Sequence, residues 1–349
     1  MIESIELRPG YRIPRLIKGG WQLAGGHGEI DRAAAIADMA AYAEAGLAAF
    51  DCADIYTGVE ELIGQFRATL PPERSAALKV HTKFVPDLEA LPGIDAAYVT
   101  GVIHRSRQRL QQERLDLVQF HWWDYAQPRW LETARHLAAL QAAGVIDLLG
   151  GTNFDATHAA AMFEAGVRLA TMQVQYSLLD DRPRGAMAAL CARTGMRLLC
   201  YGTLAGGFLG ERWLGAAEPR GDLENRSLVK YKLVIDDAGG WDWFQGLLRC
   251  LAQIAARHHV GIGAVASRWV LDQPHVAAAI VGVRDRAHLE QHRAVFGWAL
   301  ENRDQAQIAA VLAQRQALRG DVYALERDRN GRHGRIMKYN LGQNGLGQG

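Results

Sequence analysis

Leu115-Asp116-Leu117-Val118-Gln119-Phe120-His121 opens the stretch that decides the fold, and Ile146-Asp147-Leu148-Leu149-Gly150 closes it. Both are apolar runs of strand length. Between them, Trp130 to Ala143 has helical spacing, and Gly144 stands where a helix should stop. Strand, helix and strand in that order make a crossover unit, which implies a parallel sheet.

The same unit recurs in both directions. Upstream strand candidates are Leu16–Lys18, Ala48–Cys52 and Leu78–Lys83; downstream ones are Ala170–Val174, Arg197–Tyr201 and Val276–Val281. Helical segments such as Asp31–Ala45, Val59–Leu70, Ile94–Gln112 and Asp155–Ala165 lie between them, with Gly46, Gly166 and Gly195 at their ends. Eight such units are the count that closes a TIM (β/α)8 barrel. Ile2–Leu7 and Tyr11–Ile17 flank Pro9-Gly10 and read as an N-terminal β-hairpin. The expected organisation is one barrel over residues 1–317 and a C-terminal extension over 318–349, partly mobile at its Gly/Gln/Asn-rich end. A long Gly- and Trp-bearing connection, Ala205–Trp243, follows the seventh barrel strand.

Composition narrows the function. The 349 residues are 49% hydrophobic and 22% charged, with a formal net charge of +1. That balance offers no overall attraction to nucleic acid or to an acidic membrane. No apolar run is long enough to span a bilayer, and the segment Met1–Pro9 does not read as a signal peptide. Cys52, Cys191, Cys200 and Cys250 lack CxxC spacing, as expected of reduced, buried thiols in a cytoplasmic protein. Twelve histidines occur without HxH or HExxH, so no metal site is expected. Gly25-Gly26-His27-Gly28 lacks dinucleotide-fingerprint spacing and reads as a turn.

In such a barrel, catalytic side chains come from the C-terminal ends of several strands. Those ends carry Asp51 and Tyr56 after the second barrel strand, Lys83 after the third and His121 after the fourth. One such residue alone is more often a cap or a surface group. Together they form a proton-donating set. A free tyrosine has a pKa of about 10, and a nearby ammonium lowers it. Asp51 would hold Lys83, His121 would bond the substrate oxygen, and Tyr56 would protonate the developing alkoxide.

These residues resemble a family. Phe50-Asp51-Cys52-Ala53-Asp54-Ile55-Tyr56 is similar to the signature of the aldo-keto reductases, as are His81-Thr82-Lys83-Phe84 and the strand ending in His121-Trp122. The likeness continues through Gly151-Thr152-Asn153-Phe154, Gln173-Val174-Gln175-Tyr176, Tyr201–Gly207 and Ile280–Arg284. It implies an NADP(H)-dependent oxidoreductase, with NAD(H) as the alternative cofactor, acting on a small carbonyl or alcohol. By that pattern Thr152, Asn153 and Gln173 hold the nicotinamide carboxamide and Tyr201 stacks on its ring. Gly20, Trp21, Asp51, Gly202, Leu204, Gly206 and Gly282 also face the cofactor. Arg284 reads a 2′-phosphate, because a planar guanidinium pairs well with phosphate. His288 and His292 stand where many members have a basic residue and an Asn.

Trp21 and Trp122 are expected at the substrate, with Trp213, Trp241 and Trp243 as further aromatics for a sugar ring or an apolar ketone. A different class of function fits the same fold: a cofactor-binding regulatory module, like the β subunits of potassium channels. The intact Asp51, Tyr56, Lys83 and His121 set favours catalysis.

Overall fold

The computed structural model describes residues 2–24, 30–283 and 285–341. All eight expected barrel strands form: β3 (Leu16–Gly19), β4 (Ala49–Asp51), β5 (Lys79–Phe84), β6 (Leu115–Phe120), β7 (Ile146–Thr152), β8 (Thr171–Gln175), β9 (Arg197–Tyr201) and β10 (Val276–Gly282). They close a parallel barrel in which β10 returns to β3, with Ala279 opposite Leu16 and Gly282 opposite Gly19. β1 (Ser4–Arg8) and β2 (Tyr11–Pro14) form the expected antiparallel hairpin outside it.

Alternation along each strand sorts the side chains. The outward set, including Phe50, Val80, Val118, Leu149, Met172, Leu198 and Val281, joins the helices in one large core. Each such fully buried side chain stabilises by roughly 1.5–3 kcal/mol. The inward set is apolar at the bottom: Ile17, Ala49, Leu117, Leu148, Leu199 and Ala278 pack with Tyr11 and Ile13 of the hairpin. Nearer the C-terminal ends of the strands the inward positions are polar, at Asp51, Lys83, Gln119, Gln173 and Thr152, all buried. The hairpin therefore closes the bottom and the polar residues collect towards the C-terminal mouth.

The connection after β9 is more ordered than its glycine content suggests. A third of it is one helix, Arg226–Ala238, started by Asn225, whose side chain accepts from Leu228 N. Phe208, Trp213, Trp241 and Phe244 pack on one another with ring centres 4.7–6.1 Å apart. Trp243 donates to the Val311 carbonyl. Trp213 and Trp241 thus pack the core of the insertion, and Trp243 ties it to the helix Asn302–Leu312. The C-terminal extension from 318 to 341 is laid against the barrel mouth; the remainder, where mobility was expected, lies outside the described residues.

Candidate active site

Asp51 ends β4 with its carboxylate fully engaged. Oδ1 accepts from Lys83 Nζ at 2.6 Å, and Oδ2 accepts from Gln119 Nε2 at 3.0 Å and Gln173 Nε2 at 2.7 Å. Lys83 also donates to the Cys52 carbonyl at 2.8 Å. Burial works against the Lys83 charge, but Asp51 and the neighbouring Tyr56 outweigh it and move its pKa upward. The ammonium lies 5.1 Å from the centre of the Tyr56 ring. Burial raises the Tyr56 pKa, and Lys83 lowers it only in part. Desolvation, which strand spacing does not reveal, is here a larger effect than the ammonium.

His121 follows β6 and faces the same mouth. Its Nδ1 lies 3.1 Å from the Thr152 carbonyl, which can only accept, so Nδ1 carries the proton. Nε2 is buried without a hydrogen-bond partner. Burial, then the charges of Arg327 and Lys83, push the imidazole pKa down to about 3. In the neutral ring Nε2 is a lone pair, able to accept from a hydroxyl but not to donate to a ketone oxygen. Trp21 meets Tyr56 edge-on at 5.1 Å.

The residues expected to hold a nicotinamide converge beside this cluster. Tyr201 at the end of β9 donates to Asn153 Oδ1 at 2.8 Å. That bond leaves the Asn153 amide nitrogen as a donor. Gln173 uses its nitrogen on Asp51 and on Gln119 Oε1, leaving its own oxygen as an acceptor. A carboxamide has one acceptor and one donor group, and the pair fits it. Thr152 is buried alongside. Gly202 has a φ of +75°, and a Cβ there would fall 2.1 Å from the Tyr231 hydroxyl. Leu204 and Gly206 belong to the short turn that follows.

The adenosine end fits less directly. Gly282 admits Gln22, whose Nε2 would lie 2.2 Å from an added Cβ. Gly20 is tied to β4 by its N–H to the Asp51 carbonyl at 2.7 Å. His288 is exposed and bonded to Gln291, whereas His292 is buried with Nδ1 2.9 Å from the Tyr42 hydroxyl. Burial, then His288 and Lys18, lower the His292 pKa to about 4, so it brings no positive charge at neutral pH. Arg284 and the Gly25–Gly28 turn lie outside the described residues.

Trp122 differs from expectation. It is fully buried on Phe120, and its indole N–H donates to the Asp124 and Gln127 carbonyls. Strand alternation carries it to the outer layer, and Trp123, 4.2 Å from the His121 ring, takes the place beside the site. Sequence reasoning also missed Gln119, Tyr323 and Arg327. Gln119 was accessible through alternation, two residues before His121. Tyr323, 5.7 Å from His121, and Arg327 come from the C-terminal extension, and no local pattern announces them.

A closed parallel barrel thus gathers a buried Asp51, Lys83 and His121 and a half-buried Tyr56 at one mouth, a site built for moving a proton. The profile of the Aldo/keto reductase family matches residues 15–313, and the chain belongs to that family. It is similar to flagellar radial spoke protein 5 of Chlamydomonas reinhardtii, 28% identical over 257 residues. That match covers 63% of this chain and 49% of the relative, so the chain spans about half that protein's length. The aldo-keto reductase YhdN of Bacillus subtilis is 26% identical over 317 residues, covering 87% of this chain and 91% of the other. In fold, the chain is similar to the glycerol dehydrogenase of Gluconobacter oxydans, with a TM-score of 0.75 at 24% identity over 92% of this chain and 97% of that one.

Proposed function

We propose that this chain reduces an aldehyde or ketone to the alcohol with NADPH, or runs the reverse, with Tyr56 as general acid and base. The observation that carries this reading is the Asp51–Lys83 pair set against the Tyr56 ring, beside a His121 whose Nε2 is free of protein bonds. When bound, the cofactor supplies the hydride. Tyr201 offers the stacking face for its ring, and Asn153 and Gln173 turn the carboxamide so that one ring face meets the substrate. Tyr56 gives its proton to the substrate oxygen as negative charge develops there, and Lys83 stabilises the phenolate left behind. In oxidation the same phenolate removes the alcohol proton. His121 accepts from a hydroxyl on the substrate and so holds the alcohol better than the ketone.

The 2′-phosphate falls to Arg284, since His292 is neutral and turned towards Tyr42. Four reduced, buried cysteines support a cytoplasmic location. The described residues include no helix long and apolar enough to cross a membrane. The test is oxidation of NADPH and NADH against aldehydes, ketones and quinones. Activity with NADPH is expected. Arg284→Ala should weaken NADPH by roughly 1.5–3 kcal/mol, the range for a hydrogen bond to a charged group, and leave NADH nearly unchanged. Equal losses for both cofactors would remove Arg284 from that role, and a wild type inert to the whole panel would overturn the reductase reading.

A further inference from the structure

We propose that Arg327, in the C-terminal extension, is a positioning residue for the carbonyl chemistry, clamping the backbone after His121 to the backbone after Thr152. The proposal rests on the reductase reading above.

Three backbone carbonyls carry the argument. Arg327 Nη1 donates to the carbonyls of Trp122 at 2.5 Å and Trp123 at 2.8 Å, and Nη2 donates to that of Asn153 at 2.8 Å. Trp122 and Trp123 directly follow His121, beyond the end of β6, where no ladder bond holds the chain. Asn153 directly follows Thr152, whose carbonyl fixes the His121 ring. Asn153 is also left-handed, with a φ of 63°, a conformation that needs support in a residue with a side chain. One rigid guanidinium therefore sets the spacing of the two segments that orient His121. It also steadies Asn153, the hydrogen-bond partner of Tyr201. The fork geometry suits this task and an ammonium does not.

The guanidinium is itself held. It lies 3.9 Å from the centre of the Tyr125 ring, which stacks on His158 at 3.4 Å. The Tyr323 ring centre lies 5.6 Å from the guanidinium and 5.7 Å from the His121 ring centre. The charged and titratable groups around His121 are Lys83 on β5 and Arg327 and Tyr323 on the extension; the two cations favour the neutral ring.

Two measurements test the clamp. The first follows the His121 Nδ1–H and the Asn153 backbone amide by NMR at neutral pH in cofactor-free protein, which needs no turnover. Arg327→Ala and Arg327→Lys should both shift these two signals and speed their exchange with solvent, because neither side chain can hold all three carbonyls at once. The second is the kcat and KM split. Misplacing a reacting group by about 1 Å can cost on the order of 10²-fold, so kcat should fall roughly 10- to 100-fold in Arg327→Ala. Arg327→Lys should recover only part of the rate, and added guanidinium should recover more in Arg327→Ala. Unmoved His121 and Asn153 signals together with kcat within about twofold of wild type would overturn the proposal. So would a rate loss matched by loss of folded protein and indifferent to guanidinium. A wild type inert to every carbonyl would sink the reductase reading while the NMR arm still judged the clamp.

Discussion

Lys83 carries opposing demands. Its ammonium must survive burial, which Asp51 makes possible, and in the proposed reaction it must still bias Tyr56 towards the phenolate. Because burial has already raised the Tyr56 pKa, deleting the Lys83 charge removes the main effect opposing that rise. Lys83→Met should therefore move the residual oxidation activity to higher pH, since oxidation needs the phenolate. A pH–rate profile unchanged in position would make Lys83 a spacer. Tyr56→Phe tests the proton itself. General acid catalysis typically contributes about 10²–10⁴-fold, so turnover should fall by that order while NADPH binding, read by fluorescence, stays put. More than about a tenth of wild-type turnover in a chemistry-limited assay would remove Tyr56 from the role. Asp51, Lys83 and His121 were legible because the period of two sends each to the mouth, whereas Tyr56, in the turn after β4, was legible only from the motif around Asp51. The pKa of Tyr56 was not, since its burial depends on the whole loop around it.

At the level of elements, the two segments foreign to the basic repeat are joined to each other. Lys230 of the Arg226–Ala238 helix meets Glu326 of the extension at 3.4 Å, within 5.1–5.8 Å of the rings of Tyr201, Tyr231 and Tyr323. Arg332 and His333 both pair with Asp237. Breaking a buried pair by removing one partner costs about 3–5 kcal/mol, because the other charge stays uncompensated. Glu326→Leu should accordingly loosen the extension, seen as faster limited proteolysis near 318–341. The double change Lys230→Met with Glu326→Leu should restore protection. Equal cleavage of wild type and Glu326→Leu would mean the pair does not hold the extension. Nothing in the polar, arginine-rich sequence after Leu318 marks these contacts. Its partners are backbone carbonyls and acids more than eighty residues away, which no local period can express. The barrel was legible for the opposite reason: its apolar repeat is local, unit by unit.

For the whole molecule, acid is the sensitive direction. His81, His121 and His292 are buried and neutral, with pKa values near 4, 3 and 4, all driven down first by burial. An unfolded histidine titrates at about 6.5. Between that value and the folded ones the unfolded chain binds more protons, so stability is whole above about pH 6.5 and is lost as pH falls. Three such groups contribute a slope of about 4 kcal/mol per pH unit around pH 5, which Asp54 and Glu60, their carboxyls raised by desolvation and so holding protons in the folded chain, partly offset. Denaturant unfolding at pH 7 and pH 5 measures the net slope, and His121→Asn should lower it by about 1.4 kcal/mol per pH unit. Asp304, hydrogen-bonded by Arg257 and His258, falls to about 2 despite its burial. Its contribution is present above about pH 4 and disappears only towards pH 2.

The seam between β3 and β10 has a consequence in time. Leu16 waits for Ala279, 263 residues later in the chain. At about 5–20 residues per second, a ribosome needs roughly 13–50 s to deliver that partner. Until then the ring cannot shut, and Tyr11, Ile13 and Ile17 have no Ala278 or Ile280 to cover them. A nascent chain of this protein thus spends most of its synthesis as an open, sticky arc, and its vulnerability to misassembly is greatest on the ribosome.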